Sequence, residues 1–407
     1  MHIRRTILSL VVFIYIITCT TSLAWAEPNV VGRAAVLIDS KSGKILFAKN
    51  ADEPLPPAST TKILTAVLVL QNCKLTDIVT ARQDATLVEP SAIGLKEGEK
   101  ITVENLLYAL LLKSANDAAV AFADHISGSV SDFAELMNSR ARSLGATKSH
   151  FTNPNGLPDP NHYTTAYDLA VIAKYAMEIP EFREIVSAKV KVIPRTDDSA
   201  IKWLQNHNKM LWQYKGANGI KTGYTKEAKQ CLVVSAEKNG QELIAVILGS
   251  EGSNIWSDGQ ALLDYGFNNY VTYKHKDANV AVQSVAVSKG TEKVSLVTQK
   301  AFFYTLPKGN RGILTEKAVV NSEITAPVKK GQVLGKLFFF LKGKEIGFVN
   351  LVAENDVAAR SFSFNGGGSE SFNPLVAGGL LLGLFLIWKV RRHKRRKRRV
   401  WLNRAIR

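Results

Sequence analysis

The stretch PPASTTKILTAVLVL, residues 56–70, opens with small polar residues and a lysine and continues as an almost unbroken apolar run. Residues 59–72 are apolar on nearly every side, which predicts a helix buried at the centre of a domain. On that helix Ser59 and Lys62 lie three residues apart on one face. A lysine withdrawn from water can act as a base, which a serine needs to become a nucleophile. The stretch therefore predicts a nucleophilic serine, or alternatively a capping serine followed by a lysine that reaches solvent.

The spacing Ser-x-x-Lys is weak evidence alone, because it recurs at Ser199 and Ser235, and neither of these opens a buried helix. Two more motifs strengthen the prediction. Ser-Ala-Asn at residues 114–116 lies between two helical patterns, and Lys-Thr-Gly at residues 221–223 precedes a pair of predicted strands. Taken singly, these two motifs could be a helix cap and a turn. The order of the three, on helix, interhelix loop and strand, is typical of penicillin-recognising serine acyltransferases.

The pattern around the motifs indicates a mixed fold. Residues 34–50 alternate about a turn and predict a β-hairpin. Residues 103–188 carry apolar residues at helical spacing in several segments. Residues 230–250 predict two strands around an Asn-Gly turn, and residues 256–270 predict a closing helix. Strands, then helices, then strands again predict an α+β domain in which helices pack on a sheet.

The net charge of +17 is concentrated at the two ends of the chain. Residues 389–407 contain eleven lysines and arginines, residues 1–26 contain two arginines, and neither segment contains an acid. The part between them is therefore nearly neutral, so we expect no nucleic-acid partner.

Both ends carry targeting patterns. Residues 1–26 combine a basic start, an apolar middle and a small-x-small end, which predicts a secretory signal peptide; an uncleaved anchor is the alternative. Residues 374–388 are uncharged and a basic cluster follows them directly, which predicts a single membrane helix over residues 374–390 and a basic cytoplasmic tail over residues 391–407. A helix lying on the membrane surface is the alternative. We therefore expect an exported protein held in the cell membrane by contact with lipid, with its catalytic domain on the extracytoplasmic side.

The composition changes near residue 270, which divides the body of the chain. Residues 27–270 contain the three motifs and form the expected catalytic domain. Residues 271–362 are rich in valine and lysine in alternating runs and predict a small all-β domain. Residues 363–373 are rich in glycine and serine and predict a flexible linker to the membrane segment.

No cofactor or metal is expected from the sequence. His150 and His162 flank Asp159, but a twelve-residue gap is not the spacing of ligands on one helix face. Cys73 and Cys231 remain after removal of the signal peptide, and both lie in apolar surroundings. Two cysteines in a domain of this size are not a disulfide framework, so we interpret them as small buried residues.

The sequence resembles the low-molecular-mass penicillin-binding proteins of the D-alanyl-D-alanine carboxypeptidase family over roughly residues 30–362. Outside the motifs, the similar stretches are FTNPNGLPD (151–159), HYTTAYDLA (162–170), NHNKML (206–211) and GIKTGYTKEAKQCL (219–232). The resemblance implies an α+β penicillin-binding and β-lactamase-like transpeptidase domain. Such a domain has an antiparallel sheet with helices on both faces and a helical subdomain; here the small all-β domain and the membrane helix would follow it.

The resemblance also implies catalytic roles. Ser59 would attack the carbonyl between the two D-alanines of a cell-wall stem peptide, and Lys62 would accept its proton. Ser114 would relay a proton to the leaving D-alanine. Asn116 would hold Lys62 and the substrate amide. A β-lactam would mimic the dipeptide and leave Ser59 blocked, so stem peptides ending in D-Ala-D-Ala and β-lactam antibiotics are the expected partners.

The third motif would bind substrate. Lys221 and Thr222 would hold the terminal carboxylate, for which a cation is the natural partner. Gly223 would let substrate lie close along the strand. Some family members carry histidine at the next position, where this chain has Tyr224. The backbone N–H groups of Ser59 and Tyr224 would still form the oxyanion hole.

Other activities remain as alternatives. A D,D-endopeptidase of the same fold would need room for a second peptide. A penicillin-binding sensor would acylate without turnover and would need a cytoplasmic signalling module, for which the short tail leaves no room. A non-catalytic scaffold conflicts with the intact motifs. A β-lactamase is disfavoured because the middle motif is Ser-Ala-Asn and because Glu178 and Glu181 are expected at the surface.

Overall fold

The computed structural model describes residues 27–88, 90–195, 200–310 and 312–360, together with Phe385, Trp388 and Lys389. The predicted signal peptide, linker and basic tail lie outside these residues, as does almost all of the predicted membrane segment. Within the described ranges, no helix is both long enough and apolar enough to cross a bilayer.

Short and long helices alternate with strands along the first 270 residues. The α-helices are Lys62–Asn72 (α1), Gln83–Thr86 (α2), Val103–Tyr108 (α3), Asn116–Ser127 (α4), Val130–Leu144 (α5), Ala166–Ala176 (α6), Pro180–Ser187 (α7), Met210–Gln213 (α8) and Asn254–Asn269 (α9). A 3₁₀ turn, Ala58–Thr61, precedes α1, and a π-helical turn, Ala109–Lys113, follows α3. The strands here are Ala34–Asp39 (β1), Ile45–Lys49 (β2), Ile78–Thr80 (β3), Lys100–Thr102 (β4), Val190–Val192 (β5), Trp203–Gln205 (β6), Ala217–Thr225 (β7), Lys229–Lys238 (β8) and Gln241–Ser250 (β9).

The main sheet has five antiparallel strands in the order β2-β1-β9-β8-β7. The two hairpins predicted from the sequence are present, and the second turns at Asn239 and Gly240, whose φ angles are 52° and 77°. These left-handed residues suit the right-handed twist of the strands on either side. The first and last strands of this sheet in chain order, β1 and β9, pair with each other at its centre.

Both faces of the sheet are covered, as the alternation of β1 shows. Ala34, Val36 and Ile38 point into one apolar core, while Ala35 and Leu37 point into the other. The first core holds α1 and most of the other helices, which form the helical subdomain; the second holds α9. The predicted antiparallel sheet with helices on both faces is therefore present. Helix α1 is buried from Lys62 to Val69, so its packing fixes the position of the 3₁₀ turn that precedes it.

A second, all-β domain follows directly. Its strands are Tyr270–Lys276 (β10), Ala281–Val285 (β11), Val294–Thr298 (β12), Phe302–Pro307 (β13), Leu314–Val320 (β14), Val333–Leu341 (β15) and Lys344–Ala353 (β16). Five of them form a sheet in the order β11-β12-β16-β15-β14, and β10 pairs with β13. The core contains a stacked pair, Phe302 and Phe339, whose ring centroids are 3.8 Å apart.

Hydrogen bonds connect the two domains. The Oγ atom of Ser42, in the β1–β2 turn, lies 2.7 Å from Oγ1 of Thr305 on β13. The Lys44 ammonium donates to the Thr305 carbonyl at 2.9 Å, and the Thr272 hydroxyl donates to the Asp39 carboxylate. Strand β10 begins at the residue after the last residue of α9.

Candidate active site

Ser59 lies in the 3₁₀ turn that leads into α1, rather than in the first turn of the α-helix as the apolar pattern predicts. Ala58 has a φ of 48°, so the chain enters this turn in a left-handed conformation. The Thr60 hydroxyl donates to the Pro57 carbonyl at 2.7 Å and holds the turn closed. Side-chain patterns do not distinguish a 3₁₀ turn from an α-helical one over four residues, which explains the difference.

Lys62 is fully buried at the start of α1. Its Nζ atom lies 2.9 Å from Oγ of Ser59, 2.7 Å from Oδ1 of Asn116 and 2.6 Å from the carbonyl oxygen of Asn155. A neutral amine has two hydrogens and one lone pair. Two hydrogens match the two carbonyl-type acceptors, Asn116 and Asn155, which leaves the lone pair directed at the Ser59 hydroxyl.

The environment of Lys62 favours that neutral form. Burial lowers the pKa of Lys62 well below its ordinary value, and the nearby charge of Lys221 lowers it further. The carboxylate of Asp117 acts in the opposite direction and is the smaller influence. A buried lysine whose pKa is lowered and whose nitrogen contacts a serine hydroxyl is an arrangement that can remove the serine proton.

Asn155 supplies a contact that the sequence did not single out. Gly156 follows it with a φ of 83°, and a Cβ atom built there would lie only 1.9 Å from the carbonyl oxygen of Ala58. The loop therefore approaches the nucleophile turn at a distance that only glycine permits. The Asn-Gly pair at residues 155–156 was a turn signal available in the sequence, but a turn signal does not reveal what the turn packs against.

Ser114 and Asn116 lie at the junction between the π-helical turn and α4. Ser114 ends the π-helical turn in a left-handed conformation, with φ 65° and ψ 33°, and is 6% exposed. Asn116 begins α4, and its side-chain oxygen accepts from Lys62. A π-helical turn shifts the register of the chain and is frequent at functional sites. The structure thus brings Ser59, Lys62 and Asn116 into direct contact and places Ser114 two residues from that contact.

The Lys-Thr-Gly motif lies on β7, which forms the edge of the main sheet. A Cβ atom built on Gly223 would lie 2.8 Å from the backbone nitrogen of Ser59, so this strand runs directly beside the nucleophile turn. Tyr224 follows and is 60% exposed. One side of β7 pairs with β8, and the other side faces the nucleophile, where an extended peptide can add as a further strand.

Lys221 is the second buried lysine of the site. It is 1% exposed, its Nζ donates to the Thr222 carbonyl at 2.9 Å, and burial lowers its pKa to about 7. A groove of about 510 Å³ lies close by and is lined in part by His207 and Trp212. Desolvation and the charges of Lys221 and Lys113 lower the pKa of His207 to about 4, so its imidazole is neutral at pH 7.

We expect the substitution Gly223→Ala to reduce the rate of acylation by a β-lactam about 100-fold, because the new methyl group would force β7 away from Ser59. The measurement is the second-order rate constant for labelling by a fluorescent penicillin. Gly240→Ala is the control: its φ of 77° strains the substitution, but nothing lies within 4 Å of a Cβ atom there, so it reports the effect of strain in a hairpin turn away from Ser59. A Gly223→Ala protein that is labelled as fast as the original would show that the close approach does not matter.

An antiparallel sheet covered on both faces, a helical subdomain, and a serine–lysine pair facing a Lys-Thr-Gly edge strand together define a class: the serine acyltransferases that recognise penicillin. The family model for D-alanyl-D-alanine carboxypeptidase matches residues 21–252, and the model for the C-terminal domain of penicillin-binding protein 5 matches residues 270–359. The chain belongs to the D-alanyl-D-alanine carboxypeptidase family.

Known carboxypeptidases resemble this chain in sequence, and a solved structure of the family resembles it in fold. The D-alanyl-D-alanine carboxypeptidase DacF of Bacillus subtilis is 35% identical, over 81% of this chain and 87% of its own length. DacC of Escherichia coli is 35% identical, over 82% of this chain and 86% of its own. The crystal structure of penicillin-binding protein 5 from Haemophilus influenzae has a TM-score of 0.67 and 33% identity, and the match covers 82% of this chain and 99% of that one.

Proposed function

We propose that this protein is a serine-type carboxypeptidase that removes the terminal D-alanine from peptidoglycan stem peptides and that β-lactams acylate. The proposal depends most on the position of the Lys62 nitrogen, which lies 2.9 Å from the Ser59 hydroxyl. Its hydrogens have two other acceptors, the side-chain oxygen of Asn116 and the carbonyl of Asn155. Membership of the family and the activities of the named relatives support the same reaction.

Acylation begins at Ser59. Its Oγ attacks the carbonyl carbon between the two D-alanines while its proton passes to Nζ of Lys62. The negative charge that develops on the carbonyl oxygen is held by the backbone N–H groups of Ser59 and Tyr224. The close approach of β7 at Gly223 supports this assignment, because it brings the strand beside the nucleophile turn.

The leaving group departs as D-alanine. The bond between the carbonyl carbon and its nitrogen breaks, and that nitrogen takes a proton that Ser114 relays from Lys62. Lys221 and Thr222 bind the terminal carboxylate, and the burial of Lys221 strengthens a charge-assisted bond by excluding water. Water then attacks the ester on Ser59, releases the shortened peptide and restores the serine hydroxyl.

The test is incubation of the purified protein with a fluorescent penicillin and, separately, with a peptide ending in D-Ala-D-Ala. We expect covalent labelling and release of free D-alanine. Labelling without release of D-alanine would contradict the carboxypeptidase assignment and would favour a sensor that does not turn over.

We expect the dependence of kcat/KM on pH to differ between a substrate with a free terminal carboxylate and the same substrate with a terminal amide. Above a pH of about 7, Lys221 loses its proton and with it the charge that attracts the carboxylate. The kcat/KM for the carboxylate substrate divided by the kcat/KM for the amide substrate therefore falls as pH rises through about 7. The requirement for neutral Lys62 is common to both substrates and cancels in this ratio. A ratio that is constant from pH 5 to pH 9 would contradict the role given to Lys221.

A second candidate is a D,D-endopeptidase, and one observation favours it. The groove that contains His207 lies near Lys221, which is proposed to bind the carboxylate of the leaving D-alanine, and its volume of about 510 Å³ could hold a second peptide. A cross-linked dimeric stem peptide separates the two candidates. Cleavage of the dimer at a rate comparable to that of the monomer would support the endopeptidase.

We also propose that the chain is exported and held in the membrane by one C-terminal span. The basic start and small-x-small end of residues 1–26 support export, and the uncharged residues 374–388 followed by a basic cluster support the span. Mass spectrometry of the mature chain tests cleavage after Ala26. Release of a variant without residues 374–407 from the membrane fraction tests the anchor.

A further inference from the structure

Residues 90–95 form a loop that touches the catalytic constellation. The Asn116 backbone N–H donates to the Ser91 carbonyl at 2.7 Å, and the Asn116 side-chain amide donates to the Pro90 carbonyl. The side-chain oxygen of the same residue accepts from Lys62. The orientation of Asn116, and with it the position of the Lys62 amine, therefore depends on where this loop lies.

The loop has no regular secondary structure of its own. Ser91 and Gly94 both have positive φ angles, of 66° and 70°. One set of contacts holds it from the side of α4: the buried Asp117 carboxylate accepts from the backbone N–H groups of Ile93 at 3.0 Å and Leu95 at 3.1 Å. These bonds use N–H groups of the loop and leave its carbonyl groups to other partners.

Arg195 holds the same loop by its carbonyl groups. Its Nη1 donates to the Ile93 carbonyl at 3.0 Å, and its Nη2 donates to the Gly94 carbonyl at 3.1 Å. Glu99 receives two more bonds, from Nε and from Nη2, the latter at 2.9 Å, and the Ile201 carbonyl receives the last, at 3.3 Å. A guanidinium has five hydrogens, and all five have an acceptor here.

Burial makes this arrangement specific. The Arg195 side chain is 1% exposed, and the Glu99 side chain is 9% exposed. A guanidinium in such a place must keep its partners, because an unpaired buried charge is strongly unfavourable. Its planar fork also fixes the direction of each acceptor, which a lysine cannot do. Arg195 therefore fixes the loop at Ile93 and Gly94, two and three residues after the carbonyl that accepts from Asn116.

We propose that Arg195 is a positioning residue of the active site: it holds residues 90–95 against Asn116 and thereby keeps Lys62 in line with Ser59. This inference rests on the proposed function for its kinetic consequence. Its structural part, the fixing of the loop, is measurable without any activity.

The experiment compares Arg195→Met with Arg195→Lys and with a control. The control is Arg183→Met, which breaks another arginine–glutamate pair. The Arg183 side chain is 38% exposed and donates to both carboxylate oxygens of Glu242, whose side chain is 4% exposed. In the register of the sheet, Glu242 lies opposite Glu237 on β8. Gly223, which lies beside the nucleophile turn, is opposite Cys231 on the same strand. Glu237 and Cys231 are six residues apart along β8. The control therefore lies about 20 Å from the nucleophile along the sheet.

The first readout is hydrogen exchange of the backbone amides of Ile93 and Leu95. We expect exchange to quicken at least tenfold in Arg195→Met, and to stay within twofold in Arg183→Met. The second readout is acylation by a fluorescent penicillin, separated into binding and chemical steps. We expect the chemical step to slow about 10- to 100-fold in Arg195→Met, with a smaller loss in Arg195→Lys and less than a threefold change in the control.

Unchanged exchange at Ile93 and Leu95 in Arg195→Met would overturn the inference, whatever the enzyme does to penicillin. Quickened exchange with an unchanged chemical step would overturn its kinetic part. If the original protein were not acylated at all, the proposed function would fail, while the exchange measurement would still decide the role of Arg195. Should Arg195→Met not fold, Glu99→Gln loosens the same guanidinium, and we expect it to quicken exchange in the same loop.

Discussion

The substitution Ser59→Ala is expected to abolish covalent labelling by penicillin and to lower the release of D-alanine by about 10⁴-fold or more. Removing a nucleophile removes the acyl-enzyme itself, and what remains is the small rate that binding and the oxyanion hole provide. Ser59 is half-buried in a turn, so the loss of one hydroxyl is not expected to disturb the fold. Gel fluorescence after penicillin labelling and an assay of free D-alanine measure the two losses.

Ser235→Ala is the matched control for Ser59→Ala. Ser235 begins another Ser-x-x-Lys sequence, is fully buried on β8, and donates to the Asn218 side chain at 2.6 Å. Its loss should lower stability by about 1 kcal/mol while leaving labelling intact. Labelling that survives in Ser59→Ala would refute the nucleophile assignment and the mechanism with it.

The substitution Lys62→Met should slow acylation by about 10³-fold, which is the contribution expected of a general base. Methionine has a similar length and no proton-accepting nitrogen. The change removes a buried amine but leaves the carbonyl oxygens of Asn116 and Asn155 without their donor, which costs about 1–3 kcal/mol for each group. The second-order rate constant for penicillin labelling is the quantity to measure, below the melting temperature of the variant.

Lys238→Met provides the corresponding control, because Lys238 is the lysine of the Ser-x-x-Lys sequence that begins at Ser235 and its Nζ donates to the Tyr214 hydroxyl at 2.8 Å. We expect it to be labelled at the normal rate. If Lys62→Met were also labelled normally, the proton of Ser59 would have to leave by another route, and the proposed role of the buried amine would be wrong.

The parts of the fold that the sequence predicted are those that local patterns specify. The two hairpins follow from alternation and from turn residues such as Asn239 and Gly240, and the buried helix α1 follows from its apolar faces. The family was predicted from the order of three short motifs, and the comparisons confirm it. The roles given to the individual motif residues stay predictions, supported by the contacts of Lys62 and the approach of Gly223.

The contacts that the sequence did not predict are long-range and carried by backbone atoms. The Asn155 carbonyl that accepts from Lys62 is 93 residues away in the chain, and a carbonyl group is common to every residue type. Arg195 likewise reaches Ile93 and Gly94 over about 100 residues. A single arginine in a polar stretch carries no mark that its guanidinium will be buried, so only the tertiary structure reveals the pairing.

The direct passage from α9 into β10 has a mechanical meaning. Helix α9 ends at Asn269 and β10 begins at Tyr270, so no loop separates the two domains at which the backbone could rotate. The hydroxyl groups of Ser42 and Thr272 meet at Thr305 and Asp39 in one cluster that opposes bending. These contacts couple the orientation of the all-β domain to that of the catalytic domain, so a force on the all-β domain is expected to turn the two together. Any attachment of the all-β domain to a surface would therefore also set the distance and the direction from which Ser59 faces its substrate.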